Sequence, residues 1–282
     1  MLKREYRSVQ KVTDKKSDIN SYQFEENTST LTARIEAHRK YAKLEINDWI
    51  LEIINLQSEE KVLDIGCGTG KQIIPYKKRV GEKGRAVGTD ISEELIEDAR
   101  KIAQEAGLEI EFLVHDANNS FNFPDNTFDA ISCCFAIYYL RDIEKALLEL
   151  KRMLKPGGRI FLAGPTPENA KLLHTLHKKV TKKPLPYMPG VSRFMNEILS
   201  MVKKHFQKIK VDRLQNPMHF QDVDSFLDYY ISTGLFINSS NDDKEKGRYK
   251  EDIKKEVQKI IQKKGYVEIM KEIGGILGFK SQ

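Results

Sequence analysis

The 282-residue chain contains few cysteines and no long apolar segment. Cys67, Cys133 and Cys134 form no Cys-x-x-Cys or Cys/His spacing, so no metal site is predicted and the thiols are interpreted as small buried side chains. Because no run of about 18 apolar residues is present, neither a transmembrane helix nor stable membrane insertion is expected. The first five residues lack the apolar core of a signal peptide, and the expected compartment is the cytoplasm.

A strong excess of one charge is also missing. The 47 Lys and Arg residues face 41 Asp and Glu residues, for a formal net charge of +6. The lysines are spread along the chain and usually have acids nearby, which favours solvated faces over a nucleic-acid-binding surface. Short clusters at 77–79, 178–179 and 182–183 leave a polyanionic partner open as an alternative. A nucleic-acid partner is therefore not the main expectation.

The most informative segment is 61–70, which reads KVLDIGCGTG. A short apolar run followed by three glycines predicts a buried strand, a tight turn and the start of a helix. Glycine permits positive φ and lets a ligand approach where a Cβ would collide. The amides at a helix N-terminus and the positive end of its dipole add to this environment. The segment therefore predicts a cradle for a nucleotide or nucleoside.

The glycine spacing argues against two common nucleotide-binding motifs. A dinucleotide fingerprint needs G-x-G-x-x-G, but the third glycine, Gly70, falls one residue early and Lys71 stands in its place. A P-loop needs Gly-Lys followed by Ser or Thr, whereas Gln72 follows Lys71 here. NAD, FAD, ATP and GTP are therefore not expected.

Strand and helix patterns alternate from this segment onward through about 100 residues. Strands are predicted over 61–65, 85–89, 109–114, 128–134 and 159–164, and helices over 71–79, 92–106 and 142–154. Short crossovers of this kind give parallel strands with helices on both faces of the sheet. The alternation therefore predicts a doubly wound α/β core.

The pattern changes beyond residue 165. Four segments are predicted, namely an N-terminal helical cap over 1–55, a ligand-binding core over 56–165, a helical insertion over 166–206, and the end of the sheet over 207–282. The last segment contains a sixth strand over 206–214 and a helical lid insertion over about 218–264. A terminal hairpin is predicted about Gly274-Gly275 because paired glycines favour a turn.

Three acids stand at predicted strand ends. Asp64 precedes the glycine turn, Asp90 ends the second strand, and Asp116 ends the third. Because parallel strands end at one edge of the sheet, the three side chains are expected to lie near each other. A carboxylate can accept both hydroxyls of a ribose or an exocyclic amine of a base. Asp64 and Asp116 as turn residues, and Asp90 as a helix cap, are the alternatives.

At these residues the chain resembles the class I S-adenosylmethionine-dependent methyltransferases. The family's motifs match at 64–70, at Asp90, at 115–117, at 128–135 and at 154–158. The resemblance covers about residues 60–165. Within the class, this segment is similar to the ubiquinone/menaquinone C-methyltransferase and small-molecule methyltransferase group. The resemblance implies a Rossmann-like three-layer α/β sandwich. Its sheet is mostly parallel and seven-stranded, with an antiparallel C-terminal hairpin strand and a helical cap.

The resemblance also implies roles for individual residues toward S-adenosyl-L-methionine. The glycine turn would pass under the methionine part and the ribose, Asp64 would order the turn or hold the amino group, Asp90 would bind the ribose hydroxyls, and Asp116 would bind the adenine amine. The implied cofactor-binding set is Asp64, Gly66, Cys67, Gly68, Gly70, Asp90, Ile91, Asp116, Ala117, Cys133 and Phe135. Ile91 and Ala117 would pack on the adenine ring, and Cys133 to Phe135 would border the sulfonium.

No residue is forced into a catalytic role. Tyr138, His174 and His219 are candidate bases, each with pocket wall, core or surface as the alternative. Tyr22 and Tyr41 are further candidates in the N-terminal cap. Six aromatic residues of the C-terminal half predict either an apolar acceptor pocket or simply the core of a helical cap, namely Tyr187, Phe194, Phe220, Phe226, Tyr229 and Tyr230.

The predicted function is methyl transfer to a small organic acceptor by direct SN2 displacement. One alternative is an RNA or protein methyltransferase, although Gly164-Pro165-Thr166-Pro167 lacks the Asn-Pro-Pro-Tyr pattern of many nucleic-acid enzymes. A further alternative is a protein that binds S-adenosylmethionine without turnover. The acceptor, the atom methylated and the oligomeric state are not given by the sequence.

Overall fold

The computed structural model describes residues 28–282, with side chains from Ala33 onward. The first 27 residues of the predicted cap segment 1–55, including Tyr22, lie outside the described residues. Within the described part of the chain, no helix combines the length and the apolar content needed to cross a membrane.

Strands and helices alternate through the first half of the described chain. The strands are β1 (Lys61–Ile65), β2 (Arg85–Asp90), β3 (Glu111–Val114), β4 (Phe128–Cys134), β5 (Leu154–Pro165), β6 (Gln207–Phe220) and β7 (Val267–Phe279). The helices are α1 (Thr28–Tyr41), α2 (Ile46–Ile54), α3 (Ile73–Val80), α4 (Glu93–Glu105), α5 (Ile143–Met153), α6 (Lys171–Thr181), α7 (Pro189–Arg193), α8 (Leu199–His205), α9 (Val223–Ile231), α10 (Gly234–Ile237) and α11 (Asp243–Lys264). A 3₁₀ turn spans Ile137–Tyr139, and a π-helical turn, Phe194–Ile198, joins α7 to α8.

The seven strands form one sheet in the order β3-β2-β1-β4-β5-β7-β6. Strands β1 to β5 pair in parallel, whereas β7 is antiparallel to both of its neighbours, β5 and β6. One face of the sheet packs on α5 and α8, and the other packs on α2, α3 and α4. The predicted Rossmann-like three-layer fold is therefore confirmed.

The central strands are buried on both faces, which explains their nearly continuous apolar sequence. In β4, Ile131 and Cys133 lie in the core under α5, while Ala130 and Cys134 lie in the core under α3. The two vicinal cysteines thus point to opposite faces, as the period of a strand requires. All three cysteines are free and buried.

The predicted hairpin about Gly274-Gly275 is wrong, because both residues lie inside the continuous strand β7. They are glycines because neighbouring side chains press on the strand from both faces. A Cβ on Gly274 would lie 2.6 Å from the sulfur of Met195, and one on Gly275 would lie 2.9 Å from the ring of Trp49. The hairpin joins β6 to β7 instead, with α9 to α11 inserted in its connection.

Strands β6 and β7 continue beyond the end of β5 as a two-stranded ribbon. Pro165, the last residue of β5, pairs with Ile273, whereas β6 and β7 pair as far as Phe220 and Val267. A third core forms where α1, α6, α9, α10 and α11 pack on this ribbon. The cap covers one face of this extension, whereas Glu268 on the other face is exposed.

Most of the aromatic residues that were candidates for an acceptor pocket are buried in this third core, which we call the cap core. Phe220, Phe226, Tyr229 and Tyr230 are buried there, and Phe194 is buried in the core under α5. Tyr187 is half-buried. For the buried residues other than Tyr229 the packing alternative is therefore correct, whereas the Tyr229 hydroxyl also accepts a hydrogen bond from Lys271.

Two amide side chains attach the N-terminal helices to the core. Asn216 accepts hydrogen bonds from the backbone N–H groups of Lys43 and Leu44 at 3.1 and 3.0 Å, and donates to the Leu44 carbonyl at 2.8 Å. Asn47, in α2, donates to the Lys71 carbonyl at 3.1 Å, immediately after the glycine turn. The two amides hold α1 and α2 against the carboxyl edge of the sheet.

Arg159 in β5 fixes the end of α2 to the chain that enters β1. It binds both carboxylate oxygens of Glu60 at 2.9 and 2.6 Å, and donates to the carbonyls of Ile54 and Asn55 at 2.6 and 2.9 Å. The Arg159 and Glu60 side chains are only 11% and 17% exposed. The bidentate geometry and the low exposure make this ion pair stronger than a surface pair.

We predict that Arg159→Met lowers the free energy of unfolding by roughly 2–3 kcal/mol, because it leaves a partly buried carboxylate and two carbonyls without their donor. Urea unfolding would measure the loss. The matched control is Arg85→Met, since Arg85 pairs with Glu111 between exposed side chains (40% and 42%) and should cost less than about 1 kcal/mol. If the two variants lost the same free energy of unfolding, the Arg159–Glu60 ion pair would not be stronger than a surface pair.

Candidate cofactor site

The glycine turn is fixed to the end of the neighbouring strand. The amides of Gly66 and Cys67 both donate to the Thr89 carbonyl, at 2.7 and 2.9 Å. Gly66 has a φ of +69°, and a Cβ there would lie 2.4 Å from that of Ala136. Only glycine satisfies both conditions, so the sequence brings the loop after β1 against the loop after β4.

Gly68 and Asp90 form the lip of a cleft at the carboxyl edge. Gly68 has a φ of +52°, and a Cβ there would meet nothing within 4 Å, so this side of the turn faces open space. Its amide donates to Asp90 Oδ2 at 2.9 Å, and the Ser92 amide donates to Asp90 Oδ1 at 3.0 Å. The side chain of Ser92 caps α4 by accepting from the Leu95 amide. Asp90 is therefore not the side-chain cap of that helix, and each of its oxygens has a further lone pair.

Asp64 lies beneath the turn at the end of β1 and is 1% exposed. Its Oδ1 accepts a short hydrogen bond from the Ser132 hydroxyl, while its Oδ2 has no partner among the described residues. Burial, reinforced by the nearby charge of Asp90 and opposed by the Ser132 hydrogen bond, raises the pKa of Asp64 from 3.8 to about 7. A buried carboxylate oxygen without a donor marks a position where a ligand donor is wanted.

Asp116 stands two strands away on the same edge and is already engaged locally. Its Oδ1 accepts from the backbone and side-chain N–H groups of Asn118 at 2.9 and 2.8 Å. Its Oδ2 lies 3.7 Å from the guanidinium of Arg141. Oδ1 therefore acts as a turn residue's oxygen, as the alternative prediction stated. Oδ2 lies beside the exposed guanidinium of Arg141 at the cleft.

Two apolar side chains stand between these acids. Ile91, directly after Asp90, is 60% exposed, which is unusual for an isoleucine beside a sheet edge. Ala117, directly after Asp116, is half-buried against the core under α5. An exposed apolar side chain at a cleft lip suits the flat face of a bound ring.

The chain leaves β4 through a strained residue. Phe135 has a φ of +60°, which costs a bulky side chain on the order of 1–2 kcal/mol, and its amide donates to the Ala163 carbonyl at 2.8 Å. The next residue, Ala136, is the one that contacts Gly66. Strain of this kind is concentrated at ligand sites, and here it shapes the wall opposite the glycine turn.

The cysteines of the implied cofactor set turn their side chains away from the cleft. Cys67 is buried in the core with α3, and Cys133 in the core with α5. Burial raises the pKa of both thiols above its ordinary value, so both stay protonated near neutral pH. Any contact of Cys67 with a ligand is therefore made by its backbone.

Tyr138 lies just beyond the strained turn, buried beside Tyr139 and Phe194. Its carbonyl accepts from the buried guanidinium of Arg193 at 2.8 Å, which attaches the helical insertion to this loop. Burial raises the pKa of the Tyr138 hydroxyl well above 10. A phenol that stays protonated is a hydrogen-bond donor and not a general base near neutral pH.

The two histidines predicted as candidate bases lie on different elements, His174 on α6 and His219 on β6. His174 is half-buried in α6, where burial, followed by the charge of Lys271, lowers its pKa from 6.5 to about 4. His219 lies on the ribbon, 2.8 Å from a carboxylate oxygen of Glu268, with its ring tilted on Tyr266. His219 is thus occupied by a cross-strand pair and contacts none of the residues of the glycine turn.

Two residues that complete the site gave no recognisable sequence signal. Ser132 reads as an ordinary buried strand position, although it donates to Asp64. Ala136 reads as a loop residue, although its side chain occupies the space that Gly66 leaves open. In both cases the contact joins segments about 70 residues apart, which local periodicity cannot predict.

Comparison with known proteins identifies the central region. Residues 62–158 match a family model described as a methyltransferase domain. The chain is 32% identical over 146 residues to demethylmenaquinone methyltransferase of Thermus thermophilus, covering 51% of this chain and 66% of that protein. It is 29% identical over 188 residues to the ubiquinone/menaquinone biosynthesis C-methyltransferase UbiE of Cronobacter sakazakii, covering 63% of this chain and 71% of that protein.

A solved structure supports the same fold. The crystal structure of the YcgJ protein of Bacillus subtilis has a TM-score of 0.56 at 21% identity, and the match covers 84% of this chain and 98% of that one. In sequence, the chain spans 44% of the curated YcgJ methyltransferase, whose activity is described as uncharacterized. The fold and these similarities together show that the chain belongs to the class I S-adenosylmethionine-dependent methyltransferases.

Proposed function

We propose that this protein transfers the methyl group of S-adenosyl-L-methionine, the cofactor of its family, to a small organic acceptor by direct SN2 displacement. The observation that carries the proposal is the hydrogen bond from the Gly68 amide to Asp90 Oδ2. It sets a carboxylate with free lone pairs beside an open glycine turn, which is the arrangement a ribose with two hydroxyls requires. A cytosolic location is part of the same proposal.

The residues at the cleft fit the cofactor at three separate places. The unpartnered Asp64 Oδ2 suits the amino group of the methionine part, directly or through water. The open side of Gly68, with Asp90, suits the ribose. The exposed Ile91 suits one face of the adenine ring, with Ala117 beside it and Asp116 near the adenine amine.

S-adenosylmethionine brings a methyl group that is already activated by a sulfonium, so the protein needs to supply orientation and exclude water. The loop of Phe135 and Ala136 forms one wall, fixed by the strained backbone and by contact with Gly66. Tyr138 keeps its proton and can orient an acceptor by donating a hydrogen bond. His174, with a pKa of about 4, is neutral at pH 7 but a weak base. These properties suit an acceptor that reacts without strong base catalysis.

Several observations favour a small acceptor over RNA or protein. The two relatives described above, which align with this chain over 146 and 188 residues, are named for the methylation of quinones. Two lysines of the small basic clusters pair with acids, Lys179 with Glu256 and Lys183 with Glu245, which reduces the net positive charge of that surface. We include in the proposal that segments 1–55, 166–206 and about 218–264 cover the cofactor core 56–165 and shape the acceptor pocket.

The direct test is an incubation of the protein with S-adenosylmethionine labelled at the methyl group and a metabolite extract, followed by mass spectrometry of labelled products. Transfer to a low-molecular-mass product is expected. Labelled RNA or protein would favour the first alternative, particularly if acceptor affinity falls steeply with salt. Cofactor binding with no labelled product of any kind would favour a protein that binds without turnover.

We predict that Asp90→Ala weakens S-adenosylmethionine binding more than tenfold, because the ribose hydroxyls lose their acceptor. Isothermal calorimetry would measure the affinity, and a thermal melt would show that the variant is folded. Asp252→Ala in α11 removes an exposed carboxylate elsewhere and should leave the affinity unchanged. Unchanged affinity in Asp90→Ala would refute the ribose assignment.

We predict that Gly68→Val abolishes cofactor binding by filling the space over the turn. The matched control is Gly107→Val at the end of α4. Gly107 also has a positive φ (+65°) and open space at its Cβ position, so both variants carry similar backbone strain. Both should therefore lose similar stability in urea unfolding, while only Gly68→Val loses binding in calorimetry. Binding by both variants at the wild-type level would rule out the cradle.

We predict that the affinity of the wild type for S-adenosylmethionine rises between pH 5.5 and 7.5. The rise should be about tenfold larger than any rise measured for Asp64→Asn over the same range. The pKa of Asp64 is about 7 in the free protein, so the carboxyl is neutral below that pH and ionised above it. A cationic amino group prefers the ionised form, and its binding must therefore expel the proton at low pH. Calorimetry at several pH values would measure the effect. Parallel pH profiles for the wild type and Asp64→Asn would contradict it.

A further inference from the structure

Four polar side chains meet on one face of the ribbon, between the cap helices and the carboxyl edge of the sheet. We call them the basic cluster, namely His38 of α1, His174 of α6, Tyr229 of α9 and Lys271 of β7. The Lys271 ammonium donates to the Tyr229 hydroxyl at 3.3 Å. The His38 ring packs edge-on against the Tyr229 ring, with centroids 6.1 Å apart. Four elements distant in sequence thus converge on one small region.

Lys271 is a half-buried cation without a counter-ion. No carboxylate of residues 33–282 lies within 4 Å of its ammonium, which donates instead to the neutral Tyr229 hydroxyl. Its neighbour Glu272 cannot serve, because successive residues of a strand point to opposite faces. Glu272 instead accepts from Thr166 and Gln215 at 2.8 and 2.9 Å. A half-buried lysine can keep its ammonium in contact with water, so the Lys271 ammonium, with no carboxylate beside it, is available to a bound anion.

The charges that act on the two histidines of the cluster are also positive. Burial, and then Lys271, Lys71 and Arg34 in that order, lower the pKa of His38 from 6.5 to about 3. Burial and then Lys271 lower the pKa of His174 to about 4. Both imidazoles are therefore neutral at pH 7 and can donate an N–H without adding charge. The region combines positive potential with several hydrogen-bond donors.

The cluster adjoins the cofactor cleft. Lys71, whose charge reaches His38, directly follows the glycine turn. Arg34, one helical turn before His38 in α1, acts electrostatically on both His38 and Tyr138. Direct contacts make the same connection, because Asn216, the strand partner of Lys271, bonds to the link between α1 and α2, and Asn47 of α2 bonds to the Lys71 carbonyl.

We propose that the basic cluster binds an oxyanion carried by the methyl acceptor, with Lys271 as its counter-ion and the Tyr229 hydroxyl as a hydrogen-bond donor. This inference rests on the proposed methyltransferase function and names the acceptor class as organic anions bearing a carboxylate or an ionised hydroxyl. An ammonium held by a neutral phenol in a half-buried site gains most from such a partner, because charge-assisted hydrogen bonds strengthen where water is scarce.

The assignment also explains why no strong base stands in the cleft. An ionised hydroxyl or enol is already a nucleophile, and a carboxylate can fix the orientation of a neighbouring nucleophilic atom. When the ionised hydroxyl is the nucleophile, the positive cluster stabilises its deprotonated form and no separate general base is needed; when the anion is a carboxylate, the cluster contributes orientation alone. Lys271 is thus a binding and positioning residue for the acceptor.

The test measures binding of organic anions to the full-length protein saturated with S-adenosylhomocysteine. The probes are benzoate and 2-naphthoate with their uncharged amides, and 4-nitrophenolate at pH 8 with uncharged 4-nitroanisole. At least one anion should bind tenfold or more tightly than its neutral analogue in calorimetry. The carboxylate and phenolate pairs show which oxyanion is preferred.

The variants separate charge from packing. Lys271→Met keeps the length of the side chain and should remove the preference for the anion, whereas Lys271→Arg should retain it. Tyr229→Phe should weaken anion binding several-fold, and provides a second variant if Lys271→Met does not fold. Lys210→Met, at an exposed lysine on β6, is the control and should behave as the wild type.

The outcomes distinguish this inference from the proposed function. Failure to bind S-adenosylhomocysteine would overturn the proposed function itself. Normal binding of that compound, with no preference for the anions, would overturn only the assignment of the basic cluster. A preference that survives in Lys271→Met with a wild-type melting temperature would also overturn it.

Discussion

The structure of the site depends on one carbonyl oxygen, that of Thr89, which accepts the amides of both Gly66 and Cys67. These two bonds join the end of β1 to the end of β2 and thereby orient the glycine turn. Once the turn is fixed, Gly68 can donate to Asp90, and Gly66 can lie against Ala136. The turn is thus held from both sides. Rigid support of this kind gives a cleft its shape before a ligand arrives, which reduces the entropy lost on binding.

The parallel core could be predicted from the sequence because each of its strands is a short apolar run bounded by turn residues. Strands β1 and β4 have the predicted limits, 61–65 and 128–134. The C-terminal part was less predictable, because pairing between remote segments decides it. Strand β6 extends to Phe220, well past the predicted end at 214, and contains Pro217, which an edge strand tolerates. Gly274 and Gly275 indicate a turn when read locally, but they are needed for side chains that pack across the strand.

In the candidate site, too, some features could be predicted from the local sequence and others depend on contacts between remote segments. The acids at the ends of β1, β2 and β3 could be found from spacing, because parallel strands must end at one edge. Their individual environments could not be predicted. Asp64 lies beneath the turn with one unpartnered oxygen, whereas Asp116 is already engaged by Asn118 and Arg141. The aromatic residues of the C-terminal half have a composition typical of a ligand pocket, yet packing of the cap on the ribbon buries most of them.

The ribbon explains how one chain combines a rigid glycine turn with a separate helical cap. Strand β7 contributes Ile276 to the core under α5 and Ile269 to the core of the cap, so one continuous strand supports both. Lys271 stands on the ribbon between these two positions, on the face that the cap covers. Under the proposed function, a substitution at this position would change acceptor preference without disturbing the strands that hold the glycine turn. Because the cap meets the rest of the described chain through the ribbon, the N-terminal helices, the loop after β4 and the short link after β5, it can vary while the glycine turn keeps its support.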